Sequence, residues 1–108
     1  MQPKALISLS LLMSAHCLAA PLQCEADALG QAKKLLAFHS DNDSRAEVAS
    51  HATLLPSIVN PANKAQKFLV LEVIGYVYKA NYRMRFLFYP LNGDCVLTGQ
   101  EILELSSM

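Results

Sequence analysis

The dipeptide Asn92-Gly93 lies between two runs of alternating apolar and polar residues, and no other short feature constrains this chain so tightly. A two-residue hairpin turn of the primed type needs positive φ at its centre, which Asn and Gly adopt at little cost. With that turn in place, Phe88 stands opposite Leu97 and Pro90 opposite Cys95. Side chains alternate between the faces of a strand, so one anchored turn assigns every residue of both strands to a side.

β-branched and aromatic residues dominate the last forty or so positions, and strands are expected at about 67–79, 82–90 and 95–105. Taking Ala80 and Asn81 as the turn of the preceding hairpin sets Val77 opposite Met84, Gly75 opposite Phe86 and Val73 opposite Phe88. The inward face of the middle strand then serves both hairpins. Past Gly99 an unbroken ladder would bring Glu101 inside, opposite Met84. A bulge at Gly99 and Gln100 avoids this, setting Ile102 opposite Met84 and Glu101 opposite Arg85.

Upstream, residues 24–39 place Ala28, Leu29, Ala32, Leu35 and Leu36 on one stripe, the pattern of an amphipathic helix. Glu25 and Asp27 in its first turn and His39 in its last suit the helix dipole. Residues 40–44, Ser-Asp-Asn-Asp-Ser, read as a stop and a loop. Between Arg45 and Leu55 the pattern weakens. Ala46, Val48, Ala52 and Leu54 share one parity, which suits a strand and nearly as well a short helix. Pro56 and Pro61 mark residues 55–67 as an extended connection along the surface.

The first nineteen residues have the layout of a secretory signal peptide: Lys4, an apolar run from Ala5 to Ala15, then small residues before Pro21. Cleavage is expected after Ala19, with Ala20 as the alternative, leaving residues 20–108 as one small domain. The apolar run falls well short of the ~20 residues that cross a bilayer, so no membrane span is expected. Export to a periplasm or out of the cell follows. Of the three cysteines, Cys17 leaves with the signal, and Cys24 and Cys95 remain. Two cysteines in an exported chain read as one disulfide. Strand parity also turns Cys95 inward, toward the helix that begins at Cys24.

The expected fold class is α+β: one N-terminal amphipathic helix packed on an antiparallel sheet of three to four strands. In outline this resembles the cystatin-like folds. The likeness is one of topology, carried by no shared motif, and it brings no function with it.

Losing Lys4 leaves eight of the nine basic residues against nine acidic ones. With no basic cluster, neither nucleic acid nor an anionic membrane is an expected partner. His39 to Ser44 gathers one imidazole and two carboxylates, but a calcium loop starting at Asp41 would need Gly and Glu where Ala46 and Ala52 stand. This segment reads as a polar helix end, and no metal or other cofactor is expected. Both remaining cysteines are committed to the bridge, and no Ser or His sits in a recognisable catalytic setting. A non-enzymatic protein is therefore expected.

What remains is the outward face of the sheet, with Tyr76, Tyr78, Arg83, Arg85 and Tyr89 among Glu72, Ile74, Leu87, Val96, Glu101 and Leu103. Tyr and Arg are enriched at binding hot spots. Such a face would meet a protein partner or a second copy of the chain. The competing reading is structural: Tyr76 across from Arg85 and Tyr78 across from Arg83 as cross-strand pairs, or residues 45–67 folded over the face. The functions weighed are an exported binding module, including an inhibitor of a secreted or envelope enzyme; a structural or assembly accessory of a bacterial envelope; and a small hydrolase or ligand carrier.

Overall fold

The computed structural model describes residues 21–107, so the expected signal peptide lies outside the described residues. One helix, α1 (Glu25–His39), precedes five strands: β1 (Ala46–Val48), β2 (Thr53–Asn60), β3 (Asn63–Val77), β4 (Ala80–Leu91) and β5 (Asp94–Ser107). All pairings are antiparallel. The sheet runs β1-β3-β4-β5, with β2 also on β3. β1 takes the C-terminal end of β3 through Val48↔Gly75 and Ala46↔Val77, and β2 takes the remainder from Thr53↔Glu72 to Asn60↔Asn63. Helix on antiparallel sheet is the expected α+β class, cystatin-like in outline.

Helix α1 buries Ala28, Ala32 and Leu36, spaced four residues apart on one stripe. Leu29 and Leu35 pack at its margin. Two alanines at the contact let the helix axis come close to the strands. Gly75 continues the same logic, because a Cβ there would lie 2.9 Å from Leu36 Cδ2 and 2.8 Å from Met84 Cε. Beneath the helix lie Leu71, Val73, Val77, Tyr82, Met84, Phe86 and Phe88, all buried. Each large side chain so removed from water contributes about 1.5–3 kcal/mol. Tyr82, at the rim, meets the His39 ring edge-on at 5.2 Å between centroids.

The ends of α1 are closed by different means. At the C-terminus Ser40 N–H donates to Leu36 O and Asn42 N–H to Ala37 O. Asp41 and Asn42 take left-handed φ of 57° and 60° to do so. At the N-terminus Cys24, with φ 67°, offers no side-chain cap. The Glu25 carboxylate instead accepts from Leu22 N–H at 3.4 Å and from Ala52 N–H at 2.8 Å, tying the helix start to the residue before β2. A disulfide joins Cys24 to Cys95, with 5.8 Å between the Cα atoms.

The second hairpin turns at Asn92 and Gly93, whose φ values of 53° and 84° fit a primed turn, and it pairs Phe88 with Leu97 and Pro90 with Cys95 as expected. One register shift falls between Leu87 and Phe88, leaving Thr98 unpaired, a residue earlier than the expected bulge. Its result is the expected one: Ile102 opposite Met84 and Glu101 opposite Arg85. A further shift near Leu105 has no counterpart in the sequence reading.

The first hairpin corrects the expectation. Its turn is Tyr78-Lys79, not Ala80-Asn81, so Val77 faces Ala80, Gly75 faces Tyr82, Val73 faces Met84 and Leu71 faces Phe86. Under the expected register Glu72 would have faced Tyr89. In the observed one it faces Arg85 and accepts a hydrogen bond from Arg85 Nε at 2.9 Å. The small Gly75 also falls opposite the bulky Tyr82. Tyr78 meets the demand of the turn with φ 57°. The slip is an even number of residues, which leaves every side chain on its expected face.

Residues 45–67, undecided between strand and helix, form β1, β2 and the start of β3. They lengthen the sheet sideways through edge pairing and do not fold over its outer face. Pro56, which has no N–H to give a ladder, sits with Ser57 in the register shift between Leu55 and Ile58 on this edge strand.

Candidate protein-binding surface

The face of the sheet opposite α1 has no layer packed on it among the described residues, and three zones follow one another across it. Tyr76 and Tyr78 occupy the end near the first turn, where they are 41% and 66% exposed. Tyr76 lies across from Asn81 rather than Arg85, and Tyr78 is in the turn itself, so the expected tyrosine–arginine cross-strand pairs do not form. The Tyr78 ring instead has the Arg45 guanidinium 4.7 Å and the Lys79 ammonium 5.3 Å from its centroid. Arg45 is held there by Asp43, at 2.7 Å. The same hydrogen bonds from Arg45 bring the Asp43 carboxyl down to about 2.

The arginines form the middle zone. Arg85 Nε binds Glu72, and Arg83 stands 3.8 Å from Glu72 and 3.7 Å from Glu101. Two cations and two carboxylates leave this zone neutral. Arg83 Nε is buried without a hydrogen-bond partner, beyond bonding distance of the carboxylate beside it. Both side chains are about one-third exposed or less, at 27% and 35%. They bind the strands together as much as they face outward.

The third zone is apolar. Val70 is 4% exposed yet belongs to no part of the core beneath the helix. It is flanked in the sheet by Leu55 and Leu87. Beyond them Ile58 pairs with Phe68, whose ring meets Tyr89 edge-on at 6.2 Å, and Tyr89 pairs with the exposed Val96. Phe68 and Val70 share the parity of Tyr76, which could have nominated them. Leu55 and Ile58 come from β2, whose register nothing in the sequence supplied. Of the five expected contact residues, Tyr76 and Tyr78 lie together at one end, Arg83 and Arg85 in the ionic centre, and Tyr89 in the apolar zone.

A shallow cleft on the helix side, between α1, the following loop and β1, is lined in part by Lys33, Asn42, Asp43 and Glu47. Among the described residues no three His, Cys, Asp or Glu side chains gather as metal ligands. No helix among them is long and apolar enough to cross a membrane. No protein-family model matches the chain, and comparison with curated proteins and with solved structures returned no match.

Proposed function

We propose that this chain is an exported, non-enzymatic binding module that meets a protein partner through the outer face of its sheet. The reading rests above all on an uncovered face that combines two exposed tyrosines with an apolar cluster around the buried Val70. Tyrosine supplies a broad apolar ring and a polar tip at low entropy cost, which is why it recurs at hot spots. An uncovered apolar cluster is a surface that association would remove from water. The disulfide fits a chain that works outside a reducing compartment. Inhibition of a secreted or envelope enzyme is one form that such binding can take.

The test compares the processed wild type with Tyr76→Ala/Tyr78→Ala as baits against the periplasmic fraction and culture medium of the source cells. A partner held by the wild type and lost by the folded variant is the expected result. Equal capture by both would sink the outer-face reading. Mass spectrometry of the exported chain checks the compartment directly, with cleavage expected after Ala19.

A further inference from the structure

The two edges of the sheet are not alike. On one side the edge is divided between the three-residue β1 and a β2 interrupted by Pro56 and its register shift. The other edge is β5, fourteen residues long, paired only with β4 among the described residues. Natural edges are blunted by proline, by irregularity and by charged side chains, lysine above all, and the charges on the regular part of β5 are the two carboxylates of Glu101 and Glu104. β5 contains neither Pro nor Lys nor Arg, and between its two register shifts the stretch from Gly99 to Glu104 is regular. Alternate residues of such a stretch turn their N–H and C=O groups away from β4.

The side chains along this stretch specify what would fit. Glu101 and Leu103 lie on the outer face, across from Arg85 and Arg83, and Glu101, although 3.7 Å from Arg83, keeps 56% of its side chain exposed to a second cation. Ile102 and Glu104 lie on the helix side, across from Met84 and Tyr82. Each face of the edge therefore offers one carboxylate and one aliphatic group. The run Glu101-Ile102-Leu103-Glu104 has the same order of charge in both directions. A strand reading basic, apolar, apolar, basic complements it whether it lies parallel or antiparallel.

We propose that β5 accepts an extended segment of a partner protein with that basic-apolar-apolar-basic pattern, as an added strand on the sheet. Backbone hydrogen bonds supply the register and the four side chains the selectivity, the general mode of strand addition. A second copy of the chain fits less well, since its own β5 brings Asp94, Glu101 and Glu104 and no basic residue to the seam. The backbone edge of β5 is distinct from the tyrosines and the apolar cluster around Val70 on which the outer-face reading rests, so loss of one reading leaves the other standing.

The probe is the synthetic peptide Thr-Thr-Lys-Val-Val-Lys-Thr-Thr, added to the oxidised exported chain and read by amide hydrogen exchange and titration. Slowed exchange between Gly99 and Glu104, and none on β2, is expected. The same peptide with Glu in place of both Lys should bind about tenfold more weakly, as the loss of two exposed ion pairs implies. E101K/E104K should invert that preference. A peptide N-methylated at both valines, which needs no change to the protein, should lose binding. Absence of protection on β5, equal binding of the two charge forms, or binding by the N-methylated peptide would overturn the proposal. So would β5 amides already protected in a concentration-dependent dimer, which would assign the edge to a second copy.

Discussion

A Cβ at Gly75 would lie within 3 Å of Met84 Cε and Leu36 Cδ2, whereas a Cβ at Gly93 would meet nothing within 4 Å although φ there is +84°. One glycine is required by space and the other by backbone conformation. Gly75→Val is expected to cost about 1–3 kcal/mol by overpacking, and adding Met84→Ala should return part of it, making the pair non-additive. Gly93→Ala should cost about 1–2 kcal/mol, the strain of a left-handed residue, and no core change should recover it. Urea denaturation of the three variants and the double variant measures both. A third residue, Glu25, carries a pH dependence. The Ala52 N–H is the main cause holding its carboxyl below the ordinary 4.5, opposed by desolvation and aided by Leu22 N–H and His51. With the folded value below the unfolded one, the stabilisation is complete above 4.5 and disappears as pH falls through the folded value. The difference in Tm between wild type and Glu25→Gln should therefore be present at neutral pH and vanish in acid, in thermal scans across that window.

Among the elements, the two hairpins differ in how clearly their turns could be read, and the difference has a physical cause. Asn and Gly tolerate positive φ, so Asn92-Gly93 announced itself. Tyr78 is a poor candidate for φ 57°, and what holds it there is remote in sequence: the stacked Arg45 guanidinium and the Glu72–Arg85 pair, which sets the register. Faces survived the misplaced turn because the slip was even. β2 was illegible for another reason: its residues are exposed on both faces, so burial imposed no alternation on them. The helix was plain because Ala28, Ala32 and Leu36 bury one stripe. Helix and hairpin are then joined covalently across a sequence separation of 71 residues. The chain-entropy estimate for a loop of that length is roughly 4 kcal/mol. Cys24→Ser/Cys95→Ser is expected to lose stability on that scale in urea, and the chain cleaved after Ala19, which lacks Cys17, should react with thiol reagents only after reduction.

At the scale of the whole molecule the sheet has two faces with unequal duties. Leu71, on the helix side, is fully buried, and Tyr76, five residues along the same strand on the other side, is exposed. Leu71→Ala is expected to cost about 2–5 kcal/mol, as cavities in cores do. Tyr76→Ala should cost about 1 kcal/mol, since it gives up cross-strand neighbours, Asn81 on one side and Glu47 on the other, and no core contact. Comparing the two by denaturation measures how far the fold depends on each side. Parity alone placed Tyr76, Arg83, Arg85 and Tyr89 on the outward side and Tyr82 on the inward. It set Glu101 opposite Arg85, but the misplaced first turn kept Glu72 away from the arginines, and the unread pairing of β2 hid the apolar zone that Leu55 and Ile58 complete around Val70. The bridge between Cys24 and Cys95 has a mechanical corollary. It closes α1, β1, β2, β3 and β4 into a covalent ring and leaves most of β5 outside it. A force applied between Cys24 and Ser107 of the oxidised chain can unzip the strand beyond Cys95, over about 40 Å at ~3.4 Å per residue, before the load passes to the sulfur–sulfur bond. Under tension β5 is a tether of fixed maximum length on a body that cannot be drawn out until it is reduced.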